Sequence, residues 1–505
     1  MARLMKILKV VFLMPFSISN PNEVLENGHS KNSSAVVFFS CLGAIIIVIV
    51  GIFSWQKDDV SMDLMWALIA ALITIATVNI FVIFFLISKS RSRWTSIRSQ
   101  TDASSKLQLG FLWAFGLGLL LRTSMAIATN IECITEQRVS LELGRIFTSF
   151  VMIVFILSQI SFITYTRDLK FVHSPWIEYS TGIILLANAS IWFNFATVGI
   201  TEYLQNSTNR TLTIDNTSLH SCFEDSNIFK FTSKLRPYLF QICLDFFLLA
   251  TLFILKTWSK STCDSNIEFV SSSSEVALLN PTTENKRTCV IYATFGVIIH
   301  APFIVLALLI RFVHYENESK LREVWQFSIF LQKSSMLLLI LLAFSKLGKR
   351  TKEMRDWKLS SSDFILLCCF VGKVVLHIFD IVAANHCVVD HILLMSKGLA
   401  SLIFYFYHTL YIMISKRSSQ NVLKDSKVLV CVHILLLTLN MTQWTTTTFI
   451  LSVYGNYVLN EGEGCLFANR NIWVMLQYII IPFTEYYDFQ SAMYFYSILP
   501  HFDTV

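Results

Sequence analysis

Charge is what this chain has least of. Asp, Glu, Lys and Arg make up 15% of its 505 residues, against about 25% in a soluble domain. That is too little to coat a water-facing surface of this size. It excludes both a disordered chain and an ordinary soluble enzyme. Glycine and proline are also scarce, at 16 and 8, so little interrupts long helices. The 11 cysteines in 505 residues are too sparse for a disulfide miniprotein. There is no Walker A loop, no GYG-type potassium filter, no Arg at every third position and no zinc or haem spacing. Those absences argue against an ATP-driven pump, a potassium filter and a voltage sensor, and leave no metal centre or other cofactor to propose. No enzymatic constellation stands out.

What is present is apolar. Hydrophobic residues reach 54%, 42 of them Phe, and the mean hydropathy is +0.58. The chain reads as an all-α polytopic membrane protein. A bilayer-crossing helix needs about 20 mostly apolar residues. Twelve stretches qualify: Ser34–Trp55, Leu64–Ile87, Leu107–Ile131, Leu141–Tyr165, Trp176–Thr201, Pro237–Trp258, then Cys289–Val313, Val324–Leu347, Asp363–Ala384, His391–Ser415, Val428–Leu451 and Asn471–Leu499. Alternating strand patterns are absent, which argues against a β-barrel.

Basic residues set the orientation. Lys89, Arg91, Arg93, Arg98 and Lys106 follow span two, Lys346 to Lys358 follow span eight, and Lys416, Arg417, Lys424 and Lys427 follow span ten. Even-numbered spans therefore end inside, and both termini are cytoplasmic. The net charge of +6 follows from that bias and implies no nucleic-acid partner. Sequons agree. Asn206, Asn209 and Asn216 follow span five and Asn317 follows span seven, all in loops expected outside, where glycosylation occurs. Asn32 is also a sequon, and a glycan there would overturn the topology. Arg3, Lys6 and Lys9 precede the short apolar run 10–17. That run reads as a basic interfacial segment, with a cleaved signal peptide as the alternative.

The chain also resembles itself. Ala128-Thr129-Asn130 closes span three and Ala383-Ala384-Asn385 closes span nine. Asn188 and Trp192 in span five match Asn440 and Trp444 in span eleven. Pro237 opens span six and Pro482 lies in span twelve. Each pair is offset by roughly 250 residues. The expected organisation is a cytoplasmic segment at 1–33, a six-helix half at 34–258, a cytoplasmic linker at 259–288, a second six-helix half at 289–499 and a short tail at 500–505. An even number of spans per half gives both the same orientation. Four cysteines fall in outside loops or at outer span ends, and the repeat selects Cys133–Cys222 and Cys387–Cys465 among three possible pairings. Free or differently paired thiols are the alternative.

Ionisable groups inside spans are costly and usually face the bundle interior. Span nine carries Lys373, His377 and Asp380, and spacings of four and three place them on one face, with both charged residues within reach of His377. A proton-accepting cluster and a structural ion pair fit them equally. His408 in span ten has Phe404 one turn away and an ordinary pKa near 6.5; a proton site competes with a satisfied buried histidine. Asp245 in span six is expected to pair with Arg122 or Lys333, a structural use that competes with a place on a proton path. Asn188 and Asn440 fit helix–helix hydrogen bonding or water wires. Glu485 and Asp488 flank Tyr487 on span twelve as acidic lining.

These motifs resemble the otopetrins, twelve-span proton channels of the plasma membrane. The resemblance rests on Trp473 through Ser491 with Pro482, Phe483, Tyr487 and Phe489, on the two Asn-x-x-x-Trp elements, and on Gly372 with Ile378-Phe379. It implies a homodimer whose two six-helix halves per subunit surround a centre filled with lipid or sterol. It also implies passive, acid-responsive proton conduction through Gln, acidic and Tyr side chains in each half. The span-four Gln corresponds to Gln159, its span-ten equivalent to His408, and the span-twelve Tyr to Tyr487. Family positions are lost at Ile183, Ile242 and Ile450, and Asp488 and Gln490 replace an Arg and a His. The departures are heaviest in the first half. A secondary transporter built from two six-helix repeats, or a non-conducting channel-like subunit, is the alternative.

Overall fold

A computed structural model describes residues 42, 43, 45, 59–89, 95–97, 104–132, 139–171, 175–209, 227–257, 283–312, 318–347, 361–386, 391–416, 427–451, 465–467 and 470–499. The first expected span lies almost wholly outside these residues. The other eleven all fall on helices.

Five helices belong to the first part of the chain: α1 (Asp59–Lys89), α2 (Ser104–Glu132), α3 (Val139–Thr166), α4 (Pro175–Asn209) and α5 (Asn227–Thr257). Six belong to the second: α6 (Thr283–Phe312), α7 (Glu318–Leu347), α8 (Ser361–His386), α9 (His391–Ser415), α10 (Lys427–Thr445) and α11 (Arg470–Ile498). A π-helical segment, Thr446–Leu451, continues α10. Such a segment is not legible from hydropathy, and π turns recur near functional sites. Two three-residue strands, β1 (Thr95–Ile97) and β2 (Leu169–Phe171), pair antiparallel with Ser96 opposite Lys170.

Nine of the described helices, counting α10 with its π segment as one, are long and apolar enough to cross a membrane. They are helical because lipid leaves every backbone group to be satisfied within its own segment. Hydroxyls follow the same rule. Thr77 donates to the Ile73 carbonyl at 2.8 Å and Thr123 to Leu119 at 2.8 Å, which hides a polar atom one turn back. Lys89, Lys256 and Lys346 close α1, α5 and α7 in their last turns, where a cation complements the helix dipole. The outward faces stay apolar: Phe85, Phe147 and Leu338 are exposed.

Two helices are too polar for the nine, α4 and α11. Both are buried along most of their length, with Asn188 and Asn194 on α4 and Gln477, Glu485, Asp488 and Gln490 on α11 inside. A helix shielded by protein rather than lipid can carry such residues.

The described residues divide into two compact units, Met1–Thr101 with Gln108–Ile267, and Asp102–Leu107 with Glu268–Val505. In the first, α1 packs on α3 and α4, and α4 packs on α5. In the second, α8 packs on α9 and α11, α9 on α7, and α10 on α6 and α11. Gly398 on α9 lets α8 approach: a Cβ there would stand 2.9 Å from Ile381 Cγ1 and 3.1 Å from Asp380 Cβ. Gly372 does the same between α8 and α11, where a Cβ would meet Phe483 Cβ at 3.0 Å.

Candidate functional site

The second unit concentrates buried polar chemistry along α9. Lys397, Ser401, Tyr405, His408 and Tyr411 follow helical spacing on that helix, and Ser401, Tyr405, His408 and Tyr411 are 0 to 2% exposed. From Lys397 to Tyr411 the rise is about 21 Å, roughly two thirds of a bilayer core.

At the Lys397 end stand two buried ion pairs. Asp380 on α8 accepts from Lys397 Nζ at 3.1 Å through Oδ1 and pairs with His377 Nδ1 at 2.8 Å through Oδ2. Lys373 bonds Asp488 Oδ2 on α11 at 2.9 Å. The expected triad on α8 is therefore corrected in one respect. His377 and Asp380 do meet, but Lys373 reaches across to α11 instead of to His377. The physical reason is the close approach at Gly372, which brings α11 within range of the lysine stem. Lys397, which the sequence reading passed over, takes the second oxygen of Asp380. Its signal was a lone charge in an apolar helix.

Tyr405 is the hub of the next layer. His377 stacks on it at 5.4 Å and 13°, Lys373 Nζ lies 4.8 Å from its centroid, and Tyr487 meets it edge-on at 5.4 Å. Lys333 on α7 lies 4.9 Å from the Tyr405 ring and 5.0 Å from Phe404. Such faces attract cations most where water is excluded. Lys333, Lys373 and Lys397 are all buried, as are Asp380 and Asp488, which pair with two of them; Glu485 is buried elsewhere along α11.

One turn further, four side chains form a directed chain. Asn440 Nδ2 donates to the Leu436 carbonyl at 2.7 Å and approaches His408 Nε2 at 3.3 Å. With that amide orientation Nε2 accepts, so Nδ1 carries the proton. Nδ1 then donates to Tyr487 Oη at 2.9 Å, Tyr487 donates to Thr409 Oγ1 at 2.7 Å, and Thr409 donates to the Tyr405 carbonyl at 2.8 Å. Phe404 stacks on His408 at 5.0 Å and 20°, as the one-turn spacing suggested.

Beyond this chain stands Phe495, 5.6 Å from His408 and 5.7 Å from His433. His433 Nε2 bonds Tyr411 Oη at 2.9 Å. Neither residue was singled out from sequence, although both are polar groups inside spans. A separate buried cluster joins α6, α7 and α10: Gln332 Nε2 lies 2.9 Å from His300 Nδ1 and donates to Gln443 Oε1 at 2.8 Å.

The first unit holds a smaller counterpart. Gln159 on α3 donates to Asn188 Oδ1 on α4 at 2.9 Å. The sequence reading sets Gln159 beside His408 and Asn188 beside Asn440, and in the second unit Asn440 Nδ2 lies 3.3 Å from His408 Nε2. Asp245 accepts from Gln241 at 3.2 Å. Arg122 lies over Phe195 at 4.4 Å.

Cys465 is disulfide-bonded; Cys133, Cys222 and Cys387 lie outside the described residues. Leu466 packs against Ala383, Ala384 and Leu394, beside the end of α8. Asn206 and Asn209 lie in the last turns of α4, whereas Asn216 and Asn317 lie outside the described residues. Among the described residues no cluster of three His, Cys, Asp or Glu is arranged to hold a metal. No protein-family model matches the chain, and no curated protein matches it.

Proposed function

We propose that the protein is a passive, acid-responsive proton channel of the otopetrin kind, with conduction through its second half. The observation that carries the reading is the column along α9. Titratable and hydroxyl groups succeed one another from Lys397–Asp380–His377, past Tyr405, to Tyr487–His408–Asn440 and then Tyr411–His433. A proton needs no open pore there. It passes by successive transfer within the hydrogen-bonded groups, and water bridges the two steps where rings meet, at Tyr405 and at Phe495.

The wider reading follows from the same sequence logic. Each subunit has twelve spans in two six-helix halves, bounded at 34–258 and 289–499, with 1–33, 259–288 and 500–505 cytoplasmic. The matched pairs Gln159–Asn188 and His408–Asn440 support the duplication. The protein is a plasma-membrane homodimer enclosing lipid or sterol. Its outer side carries glycans at Asn206, Asn209, Asn216 and Asn317, with Cys133–Cys222 and Cys387–Cys465 bridged. The seat of Leu466 on α8 supports the second bridge, since Ala384 is three residues before Cys387.

The test is whole-cell recording during a drop in extracellular pH. Acid-evoked current that reverses near the proton equilibrium potential is the expected result. A secondary transporter is the competing reading. The ion pairs linking α8 to α9 and α11 favour it, because such pairs can be exchanged between two packings. Saturable solute uptake without current would establish that reading instead. Silence in both assays identifies a non-conducting subunit.

A further inference from the structure

Two ion pairs join α8 to α9, at opposite ends of the two helices. One is Asp380–Lys397. In the other, Lys416 Nζ, just past the end of α9, bonds Asp363 Oδ1 in the first turn of α8 at 2.7 Å. From Asp363 to Asp380 the rise is about 26 Å, most of a bilayer core of about 30 Å. Two contacts tie the same end to α11. Gln490 Nε2 donates to Ser362 Oγ at 2.8 Å, and Lys416 Nζ lies 6.0 Å from the Tyr494 ring centroid. The first turn of α8 is thus held by both neighbours, where the apolar stretch Ser361–His386 begins and Ile392–Ser415 ends.

The two pairs differ in their access to water. The Lys397 and Asp380 side chains are 5% and 1% exposed, whereas those of Lys416 and Asp363 are 36% and 4% exposed. Opening the enclosed pair strands two charges away from water, which is costly. Lys416 has only to swing outward into water, and its attraction to Asp363 is open to screening by salt. Polar groups lie directly behind this pair. Cys369 is buried six residues into α8, about 9 Å from Asp363 along the axis. It is close enough to Tyr487 to act on it electrostatically. Gln490 stands one turn after Tyr487 on α11, and its Oε1 is a buried acceptor with no donor among the described residues. Water entering at this end meets a polar partner at once.

We propose that the Asp363–Lys416 pair is a latch closing this end of the polar column, and that its release admits water as far as Cys369 and Tyr487. On the topology proposed above, this end faces the cytoplasm. The latch deepens the channel reading and rests on the column being the conduction path. The asymmetry of the two pairs gives it a direction. The enclosed Lys397–Asp380 pair keeps α8 and α9 together at the far end while the partly exposed pair lets go at the near one.

The full chain in nanodiscs, carrying Cys368→Ser, tests the latch. The readout is the rate at which a cationic methanethiosulfonate reagent modifies Cys369, mapped by peptide mass spectrometry. Cys243, buried in the first unit, reports global loosening. Raising salt from about 0.01 to 1 M shortens the screening length from about 30 to about 3 Å. We expect Cys369 then to react about threefold faster, the scale of a partly exposed pair. Asp363→Asn and Lys416→Met should each raise the low-salt rate about tenfold, the scale of a bond between charged groups, and remove its salt dependence. Exchanging the charges, Asp363→Lys with Lys416→Asp, should restore the slow rate and the salt dependence together. Cys243 should stay unmodified throughout. A Cys369 rate indifferent to salt and to both single variants overturns the proposal, since the pair is then only a pin between helix ends. A parallel rise at Cys369 and Cys243 also overturns it, because it reports unfolding. The salt series on the unaltered pair carries the test if a variant fails to fold. Labelling reads the latch whether or not acid evokes a current, so the latch and the channel reading fail separately.

Discussion

His408 Nδ1 and Tyr487 Oη lie 2.9 Å apart although 79 residues separate them. The bond ties α9 to α11 at the centre of the second unit. It also fixes the direction of four donors in a row, because Asn440 occupies the other nitrogen of the imidazole. The chain ends on the Tyr405 carbonyl rather than in water. The proposed proton relay requires each hydroxyl to turn and the imidazole to exchange its protonated nitrogen.

Removing the middle of that chain is the direct check. Tyr487→Phe deletes one hydroxyl and keeps the ring packed against Tyr405. Acid-evoked current is expected to fall by about 10-fold or more, on the scale of losing one positioned proton-transfer group, with surface expression unchanged. His408→Ala is expected to do at least as much. His408→Gln, which installs the residue found at position 159 of the first half, keeps a bond to Asn440 but cannot titrate. Currents equal to wild type in all three variants would remove His408 and Tyr487 from the path.

Phe495 stands between His408 and the Tyr411–His433 pair. Its ring interrupts the polar column with about one residue of hydrocarbon. Phe495→Ala opens a cavity of a size that water enters when polar groups line both sides. The expected result is a several-fold larger acid-evoked current, read as current density at matched surface expression. A smaller current would show that the ring positions the histidines rather than blocking them.

The Lys373–Asp488 pair calls for a stability cycle. Breaking a buried pair by removing one partner costs about 3–5 kcal/mol, since the remaining charge is stranded. Lys373→Met and Asp488→Asn should each lower the melting temperature of the detergent-solubilised protein. The double variant should recover most of the loss. If the double variant melts as low as the sum of the singles, the pair is not coupled.

Gly398 offers a purely steric check. A Cβ there would stand 2.9 Å from Ile381 Cγ1, 3.1 Å from Asp380 Cβ and 3.3 Å from the His377 carbonyl. Overpacking of this kind costs about 1–3 kcal/mol. Gly398→Ala should therefore lower thermal stability by that scale and weaken the Lys397–Asp380 contact. Gly110→Ala is the control, since nothing lies within 4 Å of a Cβ there, and it should be neutral or slightly stabilising.

Much of this was legible in the chain itself. The eleven expected stretches that can be compared all fall on helices, nine of them long and apolar enough to cross a membrane, because hydropathy and length are properties of consecutive residues. The membership of Lys373, His377 and Asp380 in one face followed from helical spacing alone, and so did Phe404 beside His408. Asn188 and Asn440 stand out in the sequence as polar residues at similar positions inside apolar stretches, each four residues before a Trp. Lys397 was readable in principle, as a charge inside an apolar helix, but nothing local pointed to its use. The π turn at Thr446–Leu451 left no signal in hydropathy at all.

The sequence by itself determined that this protein is a set of apolar helices with a few ionisable groups placed inside them. Local chemistry suffices for that, because a membrane segment must satisfy its own backbone. Tertiary structure alone decided which groups meet. Lys373 passes over the histidine on its own helix for Asp488, 115 residues away, and Asp380 divides its two oxygens between His377 and Lys397. A buried charge takes the nearest opposite charge that packing brings to it, and here the helices approach closely at Gly372 and Gly398, where an added Cβ would meet Phe483 and Ile381.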